Sequence, residues 1–210
     1  MCIKKVQIQP YDPKWSEKFK EIACDLKNAL GGLCREVHHV GSTSIPGLAA
    51  KEDLDIVCVV TGLQDSVALL EFIGYVFKGE FNIPMRFFFS HNNEHRKINL
   101  HVVEEDHPFL ELQLKFRDYL RMHPEDRMAY QNLKLTLIQD PKNFEKKEGR
   151  FVNYTLRKNE FIKEVLRKSG FDRVMVNFCM HDAEWDAYHR LLPGKPDALS
   201  STIGFFTGRT

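Results

Sequence analysis

Apolar and polar residues follow two different periods along this chain, and the change between them divides it in two. Up to about residue 105, short apolar runs of period two surround one long helical pattern, which predicts strands packed against a helix. From about residue 106 the apolar positions recur every three or four residues, which predicts successive helices. We therefore expect an α/β (α+β) fold, a small mixed β-sheet in residues 1–105 packed by C-terminal helices in 106–168.

Turn residues divide these patterns into individual elements. Asp12-Pro13 is a helix start and Gly31-Gly32 a helix end. Predicted strands cover 4–9, 34–40, 56–60, 75–77, 86–90 and 97–103. Predicted helices cover 13–30, 64–73, 109–122 and 124–137, with a last amphipathic helix ending near residue 168.

Residues 169–210 lack a continuous period. One helix is expected over 182–192, and prolines then interrupt the pattern, so this stretch is treated as a C-terminal extension of unknown role. Cys179, His181 and His189 lie within it, but they lack the spacing of a metal site. The domain prediction is thus one domain over 1–168 followed by the extension.

Composition excludes several classes of protein. Thirty basic and 29 acidic residues leave a net charge of +1, which does not indicate a wholly basic nucleic-acid binder. Five cysteines without a C-x-x-C pair are typical of a reducing, cytoplasmic location. No apolar run reaches the roughly 18 residues of a membrane span, so no membrane partner is expected.

The chemistry of the chain is concentrated in one stretch of the first half. A predicted strand ends at Val40, Gly41-Ser42 opens a turn of small residues, and Asp53 and Asp55 follow at the start of the next strand. Alternation along a strand predicts that both carboxylates share one face and can share a divalent cation. Gly41 lets the backbone come close to a phosphate, and Ser42 can donate a hydrogen bond to it.

This layout is typical of metal-dependent phosphoryl transfer. The nucleotidyltransferase signature is a Gly-Ser pair followed about a dozen residues later by Asp-x-Asp. Mg²⁺ prefers one or two carboxylates together with phosphates and water, which Asp53 and Asp55 would provide. Acid-x-acid triplets are common by chance, so the hypothesis depends on the strand context and on the upstream Gly-Ser pair.

The same stretch resembles the GrpB-like family, an uncharacterised group considered to have a nucleotidyltransferase-like fold. The hallmark run is His39–Lys51, and further matches follow in order over about residues 5 to 168. These matches are Tyr11, Trp15, Arg86, Phe88, Leu100–Val103, Phe116–Arg121, His123–Glu125, Tyr130, Leu133, Lys134, Tyr154, Lys158, Phe161 and Ile162.

The resemblance implies the fold more firmly than the activity. The family pattern usually has one aspartate in the strand, matching Asp55, and an apolar residue where this chain has Asp53. An active nucleotidyltransferase normally adds a third carboxylate from a neighbouring strand, and the strand 97–103 offers His101 instead. As a metal ligand, a base or a phosphate partner, His101 is predicted to complete the site, and it allows Mn²⁺ or a one-metal site.

Several other side chains are candidate partners of phosphate. Lys51 and Arg86 are weighed against ordinary surface charges, and Arg117 and Arg121, which share a helix face, against an Arg-Asp network with Asp118 that braces helices. His39 adjoins the turn and is weighed against a structural histidine. The resemblance adds three residues to the candidate set, namely Thr43, Lys134 and Lys158.

Two remaining patterns suggest other ligands. Residues 142–168 hold nine Lys or Arg against four Glu, which predicts either a solvated helix face or a basic wall that attracts nucleotide or RNA. His91-Asn92-Asn93-Glu94-His95 formally matches an inverted zinc-protease motif, but Asn-Asn between strands favours a turn. The zinc interpretation is therefore the weakest.

The sequence supports two principal hypotheses. The first is a nucleotidyltransferase that uses Mg²⁺ or Mn²⁺ to transfer a nucleotidyl group from a nucleoside triphosphate to a small molecule, a protein or an RNA. In the first, Asp53, Asp55 and His101 are catalytic, and Gly41, Ser42, Thr43, Lys51, Arg86, Arg117 and Arg121 bind phosphates. The alternative is a non-catalytic nucleotide- or RNA-binding protein on the same fold, which the missing third carboxylate favours.

Overall fold

The computed structural model of the chain describes residues 7–80, 83–92, 97–144, 154 and 157–171. The strands in these ranges are β1 (Cys34–Val40), β2 (Leu54–Val60), β3 (Val76–Phe77), β4 (Phe87–Asn92) and β5 (Lys97–Glu104). The helices are α1 (Lys14–Leu30), α2 (Ser66–Phe72), α3 (Pro108–Met122), α4 (Pro124–Gln139) and α5 (Asn159–Lys168).

The five strands form one mixed sheet in the order β1-β2-β5-β4-β3. β2 and β5 are parallel neighbours at its centre, and the other three pairs are antiparallel. The α/β fold with a small mixed sheet and packed C-terminal helices is therefore confirmed. The ends of these predicted elements differ from the structure by two residues or fewer.

Alternation along β2 separates two layers of apolar packing. Ile56, Cys58 and Val60 lie in the larger core beneath α1 and α2. Val57 and Val59 lie on the other face, in a smaller core with Phe109 of α3. Burial on both faces explains why β2 is a nearly continuous apolar run. It also makes the start of β2, where Asp55 lies, a place where a charged group is partly removed from water.

A third apolar core joins the helical half to the loop that follows the Gly-Ser turn. Ile45 and Leu48 of that loop are completely buried among residues of α3, α4 and α5. Burying two such side chains stabilises the loop by about 3–6 kcal/mol relative to leaving them exposed. The helices therefore hold the loop between β1 and β2 in one conformation.

The N-terminus of α1 is capped by Asp12, which lies two residues before the first helical residue. The helix begins at Lys14, and the Asp12 side chain accepts a hydrogen bond from the Lys14 backbone N–H at 2.9 Å. Asp12 thus caps the helix although Pro13 is the residue that directly precedes it.

Some predictions lie wholly or partly outside the described residues. Of the strand predicted over 4–9, the structure describes an isolated bridge between Gln9 and Ala50. The helix over 182–192 and the residues Cys179, His181 and His189 lie outside the described ranges. The division of the chain after residue 168 stays a prediction.

Candidate functional site

The Gly-Ser turn folds directly over the Asp55 side chain. β1 ends at Val40, which pairs with Asp55, and Gly41 then takes φ 68° and ψ −172°. A Cβ added to Gly41 would overlap the Asp55 carboxylate and would lie 2.9 Å from its Cβ. Glycine is therefore needed at position 41 because the turn lies directly against Asp55. The sequence predicts a different reason for this glycine, namely close approach of the backbone to a phosphate.

Asp55 is held by its neighbour across the parallel pair. It pairs with Asn99 of β5, and the Asn99 side-chain amide donates a hydrogen bond of 2.8 Å to Asp55 Oδ1. Burial, with the nearby charge of Asp53, raises the pKa of Asp55 to about 6 against the opposing effects of Asn99 and of two lysines. Asp53 precedes β2, whose first residue is Leu54.

The side chain beside Asp55 on the neighbouring strand is Asn99 and not His101. His101 pairs with Val57, one step of about 7 Å further along the same face of the sheet. Its Nδ1 accepts a hydrogen bond of 3.0 Å from Arg86, and its ring packs against Phe109 with centroids 4.8 Å apart. This placement differs from the sequence prediction that His101 completes the site beside Asp55.

A buried lysine of α4 reaches the Gly-Ser turn. Lys134 is only 3% exposed, and its Nζ donates to Ser42 Oγ at 3.2 Å and to the Ala49 carbonyl at 2.6 Å. Burial and the charges of Lys158 and Lys51 lower the pKa of Lys134 to about 7. The site thus holds a buried cation whose closest polar partners are neutral oxygens.

Two further lysines surround Tyr154 near the same carboxylates. The Nζ atoms of Lys51 and Lys158 lie 4.9 and 4.4 Å from the centre of the Tyr154 ring. Burial lowers the pKa of Lys51, while the charges of Asp53 and Asp55 act in the opposite direction. Lys51 comes from the loop before β2, Lys158 directly precedes α5 and Lys134 is in α4, so distant parts of the chain supply one positive cluster.

The oxygen atoms around Asp55 are of the kind that Mg²⁺ accepts. Among the described residues, no group of three or more His, Cys, Asp or Glu side chains could hold a metal ion. Mg²⁺ needs only one or two carboxylates, however, and Asp53 and Asp55 provide two. The Oδ1 of Asn99 is buried and lacks a hydrogen-bond partner, so an amide oxygen is also available. This donor set fits a hard divalent cation.

Comparison with known proteins places this chain in a family. A family model described as "GrpB protein" matches residues 5–168. The chain belongs to the GrpB family. Among relatives, the UPF0157 protein YqkA of Bacillus subtilis is 36% identical over 164 residues, which cover 76% of this chain and 46% of YqkA. The chain therefore spans about half the length of that relative.

Solved structures extend the GrpB comparison. The crystal structure of the conserved protein GrpB from Enterococcus faecalis is 32% identical, covers 78% of this chain and 96% of that chain, and has a TM-score of 0.68. Structural similarity to Cid1, solved in complex with the UTP analogue UMPNPP, is weak. It has a TM-score of 0.34 at 15% identity over 65% of this chain and 44% of Cid1.

In this GrpB-family protein, the two arginines of α3 brace the turn. Arg117 donates to the His39 carbonyl at 3.0 Å, and Arg121 donates to the Ser44 carbonyl at 2.6 Å. Both also contact the Asp118 carboxylate, at 2.7 Å from Arg117 Nε and 3.5 Å from Arg121 Nη1. The structure thus places them in the bracing network that the sequence offered as the alternative to a phosphate clamp.

Arg86 lies in the smaller core of the GrpB fold, next to His101. It is 2% exposed, and its guanidinium carbon lies 5.5 Å from the ring centres of Phe88 and Phe109. Burial lowers the pKa of Arg86 to about 9, against the opposing charge of Glu80. Arg86, which the sequence predicts to bind phosphate, is therefore a buried arginine that donates a hydrogen bond to His101.

His39 and Thr43 connect the turn to the segment before β2. The Thr43 hydroxyl donates to the Asp53 carbonyl at 3.3 Å, and the hydroxyl oxygen lies 3.1 Å from His39 Nε2. Because the hydroxyl proton is already used, the Thr43 oxygen accepts from Nε2–H. The His39 ring also stacks on Phe19 with centroids 4.8 Å apart. Both residues thus hold the position of Asp53 through its backbone.

His39 should make the stability of this GrpB-family protein sensitive to mild acid. Burial, followed by the charges of Arg121 and Arg117, lowers the pKa of His39 from 6.5 to about 4. The unfolded chain therefore takes up the proton first, so the stability contributed by neutral His39 is complete above 6.5 and is lost as pH falls towards 4. Between about pH 7 and pH 4.5, we expect the free energy of unfolding of His39→Gln to fall by about 2 kcal/mol less than that of the wild type.

Urea unfolding followed by circular dichroism at several pH values measures this difference. His38→Gln is the control, because His38 is the adjacent residue of β1 and its Nε2 lies 2.6 Å from Oε2 of Glu36. A pH dependence that His38→Gln reduces as much as His39→Gln would contradict the prediction.

Two observations concern the zinc motif and the membrane. His91 of the H-x-x-E-H stretch donates from Nδ1 to the Gly74 carbonyl at 2.8 Å, and Glu94 and His95 lie outside the described residues. Every helix in the described ranges is too short or too polar to cross a membrane.

The sequence reading of this GrpB-family chain missed parts of the site. Asn99 lies in the predicted strand 97–103, but a neutral amide in a strand does not by itself predict a metal site. Tyr130 matches the family pattern, and its contact with Ser42 and its ring centre 4.8 Å from Lys134 Nζ place it at the turn. The helical spacing of Tyr130 and Lys134, four residues apart on one face, is the signal that links them.

Proposed function

We propose that this GrpB-family protein is a metal-dependent nucleotidyltransferase. It transfers a nucleotidyl group from a nucleoside triphosphate to an acceptor that is a small molecule, a protein or an RNA. The observation that carries the proposal is the hydrogen bond from buried Lys134 to Ser42 in the turn that covers Asp55. A buried cation beside a carboxylate site is what a polyphosphate with a metal-bound end requires.

The lysine cluster supports recognition of polyphosphate. The positive charges of Lys158 and Lys51 both lower the pKa of Lys134, which shows that the three ammonium groups are close enough to repel one another. An anion with several negative charges relieves this repulsion. Gly41 and Ser42 supply the backbone amides and the hydroxyl of the turn, which can donate to phosphate oxygens.

The carboxylate side of the site serves the cation. Asp53 and Asp55, with the buried Oδ1 of Asn99, would hold Mg²⁺ or Mn²⁺. When bound, the ion would neutralise phosphate charge and polarise the phosphoryl group that is transferred. Asn99 orients Asp55 by its hydrogen bond of 2.8 Å. Gly41 closes the turn on the other side of the same carboxylate.

The decisive experiment combines binding and turnover. ATP, GTP, CTP and UTP are each titrated calorimetrically into the protein with and without Mg²⁺, and pyrophosphate release is followed with RNA, protein and small-molecule acceptors. The proposal expects metal-dependent binding of at least one nucleotide and metal-dependent release of pyrophosphate. Failure of all four nucleotides to bind would contradict the proposed nucleotide site, and Asp55 would then be interpreted as a structural residue.

A non-catalytic nucleotide- or RNA-binding protein is the second candidate. The observation that favours it is the neutral Asn99 beside Asp55, where a third carboxylate is normal in an active nucleotidyltransferase. This function predicts nucleotide or RNA binding without pyrophosphate release for any acceptor. The two candidates therefore differ in turnover and not in affinity.

Removing the Lys134 charge should weaken nucleotide binding. We expect Lys134→Met to bind a nucleoside triphosphate about tenfold or more weakly, because an ammonium group that contacts a phosphate contributes about 1.5–3 kcal/mol. The pKa of Lys134 is about 7, so the wild-type affinity should fall as pH rises from about 7 to 9, and this fall should be smaller in Lys134→Met. Calorimetric titration at several pH values measures both effects.

Lys20→Met is the matched control, because it removes an exposed lysine of α1 and should change neither the affinity nor its pH dependence. Circular dichroism confirms that both variants are folded. Equal losses of affinity in the two variants would mean that net charge, and not the position of Lys134, governs binding.

A further inference from the structure

Two cysteine side chains meet on the sheet face that packs beneath α1. Cys34 is the first residue of β1 and Cys58 lies in β2, and their Sγ atoms are 3.9 Å apart. Cys58 is completely buried, whereas Cys34 is half-buried and can be reached from solvent. Both are free thiols, because the sulfur atoms of a disulfide lie only about 2 Å apart.

A β-bulge puts the two thiols on the same face of the sheet. Cys34 pairs with Val60, but Glu36, two residues further along β1, pairs with the adjacent Val59. Arg35 is therefore an extra residue in β1. Without it, period-two alternation would turn Cys34 towards the opposite face, away from Cys58. The irregular start of β1 thus creates the contact between the thiols.

The surroundings of the pair make the two thiols chemically different. The hydrogen bond from Cys58, assisted by the charge of Lys27, lowers the pKa of Cys34 to about 7 although burial acts in the opposite direction. The same hydrogen bond and burial raise the pKa of Cys58. A thiolate is the reactive form of cysteine, so Cys34 is the nucleophile and Cys58 the protonated partner within reach.

We propose that Cys34 is a site of oxidation by hydroperoxides and that Cys58 resolves the product into an intramolecular disulfide. The Cys34 thiolate attacks one peroxide oxygen, the O–O bond breaks, and a sulfenic acid forms while hydroxide or alkoxide leaves. Cys58 sulfur then attacks Cys34 sulfur, and the S–O bond breaks as the S–S bond forms. The Cys58 proton leaves with the oxygen as water, so two thiols are oxidised and one peroxide is reduced.

Mass spectrometry of the full-length protein tests the proposal without a substitution in the core. The reduced protein is treated with hydrogen peroxide near neutral pH, denatured, alkylated and digested. We expect a product that has lost two hydrogens and a peptide pair linked through Cys34 and Cys58, both reversed by dithiothreitol. Native alkylation should modify Cys34 about tenfold or more faster than Cys58.

Variants separate the two steps. The triple variant Cys2→Ser, Cys24→Ser, Cys179→Ser keeps only the proposed pair and should form the disulfide as well as wild type does. In Cys58→Ser the sulfenic acid cannot be resolved, so dimedone, a reagent for sulfenic acids, should label Cys34 about tenfold more than in wild type. Cys24→Ser alone, which removes an exposed cysteine of α1, should change nothing.

Two outcomes would overturn the proposal. One is the absence of the Cys34–Cys58 peptide from peroxide-treated wild type under conditions that oxidise exposed Cys24. The other is linkage of Cys34 to Cys24 in a yield equal to that with Cys58. Both are measured on the wild-type chain, so a variant that fails to fold does not affect the test.

Discussion

Asp55→Asn should lose metal-dependent nucleotide binding and pyrophosphate release while making the folded protein more stable. The carboxylate is the proposed cation ligand, so we expect turnover to fall about 100-fold or more. Its charge is nevertheless costly, because burial raises its pKa to about 6. Asparagine keeps an oxygen that accepts from Asn99 but removes that charge. Loss of activity with a gain of stability is typical of a functional and not a structural carboxylate.

The pH dependence of this gain follows from the direction of the pKa shift. The pKa of Asp55 is about 6 in the folded state and 3.8 in the unfolded chain, so the folded state keeps the proton to a higher pH. Wild-type stability therefore falls as pH rises through this interval. Asp55→Asn should be more stable by about 2 kcal/mol above this interval, or roughly 4–8 °C in melting temperature. Below about pH 4 the difference should disappear. Thermal unfolding at several pH values measures it.

Asp53→Asn is the matched control. Asp53 is half-buried and lies before β2, so its replacement should weaken metal-dependent binding without the same stabilisation. If Asp55→Asn is less stable than wild type at neutral pH, the carboxylate has a structural role. Unchanged nucleotide binding in Asp55→Asn would show that the metal site is elsewhere.

Gly41→Ala should have the largest effect on stability of any methyl-sized substitution in the turn. Gly41 has φ 68° and ψ −172°, a conformation that is essentially restricted to glycine. The new Cβ would also overlap the Asp55 carboxylate, which the surrounding sheet prevents from moving away. Backbone strain and overlap together should cost about 2–5 kcal/mol, measured by urea unfolding, and should also displace Asp55 and weaken nucleotide binding.

Gly79→Ala separates the two causes. Gly79 also has a positive φ, 71°, but a Cβ there would meet no atom within 4 Å. It should therefore lose only about 1 kcal/mol, the cost of the left-handed backbone, and should bind nucleotide as wild type does. Equal losses in the two variants would mean that the contact between Gly41 and Asp55 contributes little.

The order and type of the elements were predictable because each depends on neighbouring residues. Helical spacing from Trp15 to Leu30 and the apolar run of β2 are local patterns, and the described elements agree with them. The Gly-Ser pair and Asp55 were also identified from the sequence, since a turn of small residues next to a strand is a local signal. The hydrogen bond from Thr43 to the Asp53 carbonyl could not be predicted from local patterns, because it spans ten residues.

The choice between Asn99 and His101 required the tertiary structure. Both lie on the same face of β5, and a shift of two residues in the register of β2 against β5 would decide which of them meets Asp55. That register depends on the packing of whole strands and leaves no mark in the local sequence. The different roles of Arg117 and Lys134 also required the tertiary structure, because in the sequence both are simply basic residues on helices.

The elements, the Gly-Ser turn and the carboxylate at the start of β2 are predictable from the sequence, because they follow from local periodicity and turn chemistry. The side chains that surround this carboxylate are set by long-range packing. The packing of α3 and α4 against the turn directs Arg117 to a backbone carbonyl and Lys134 to Ser42. Contacts between residues about 80 to 90 positions apart depend on how helices pack, and helix packing is governed by the shape of the whole core.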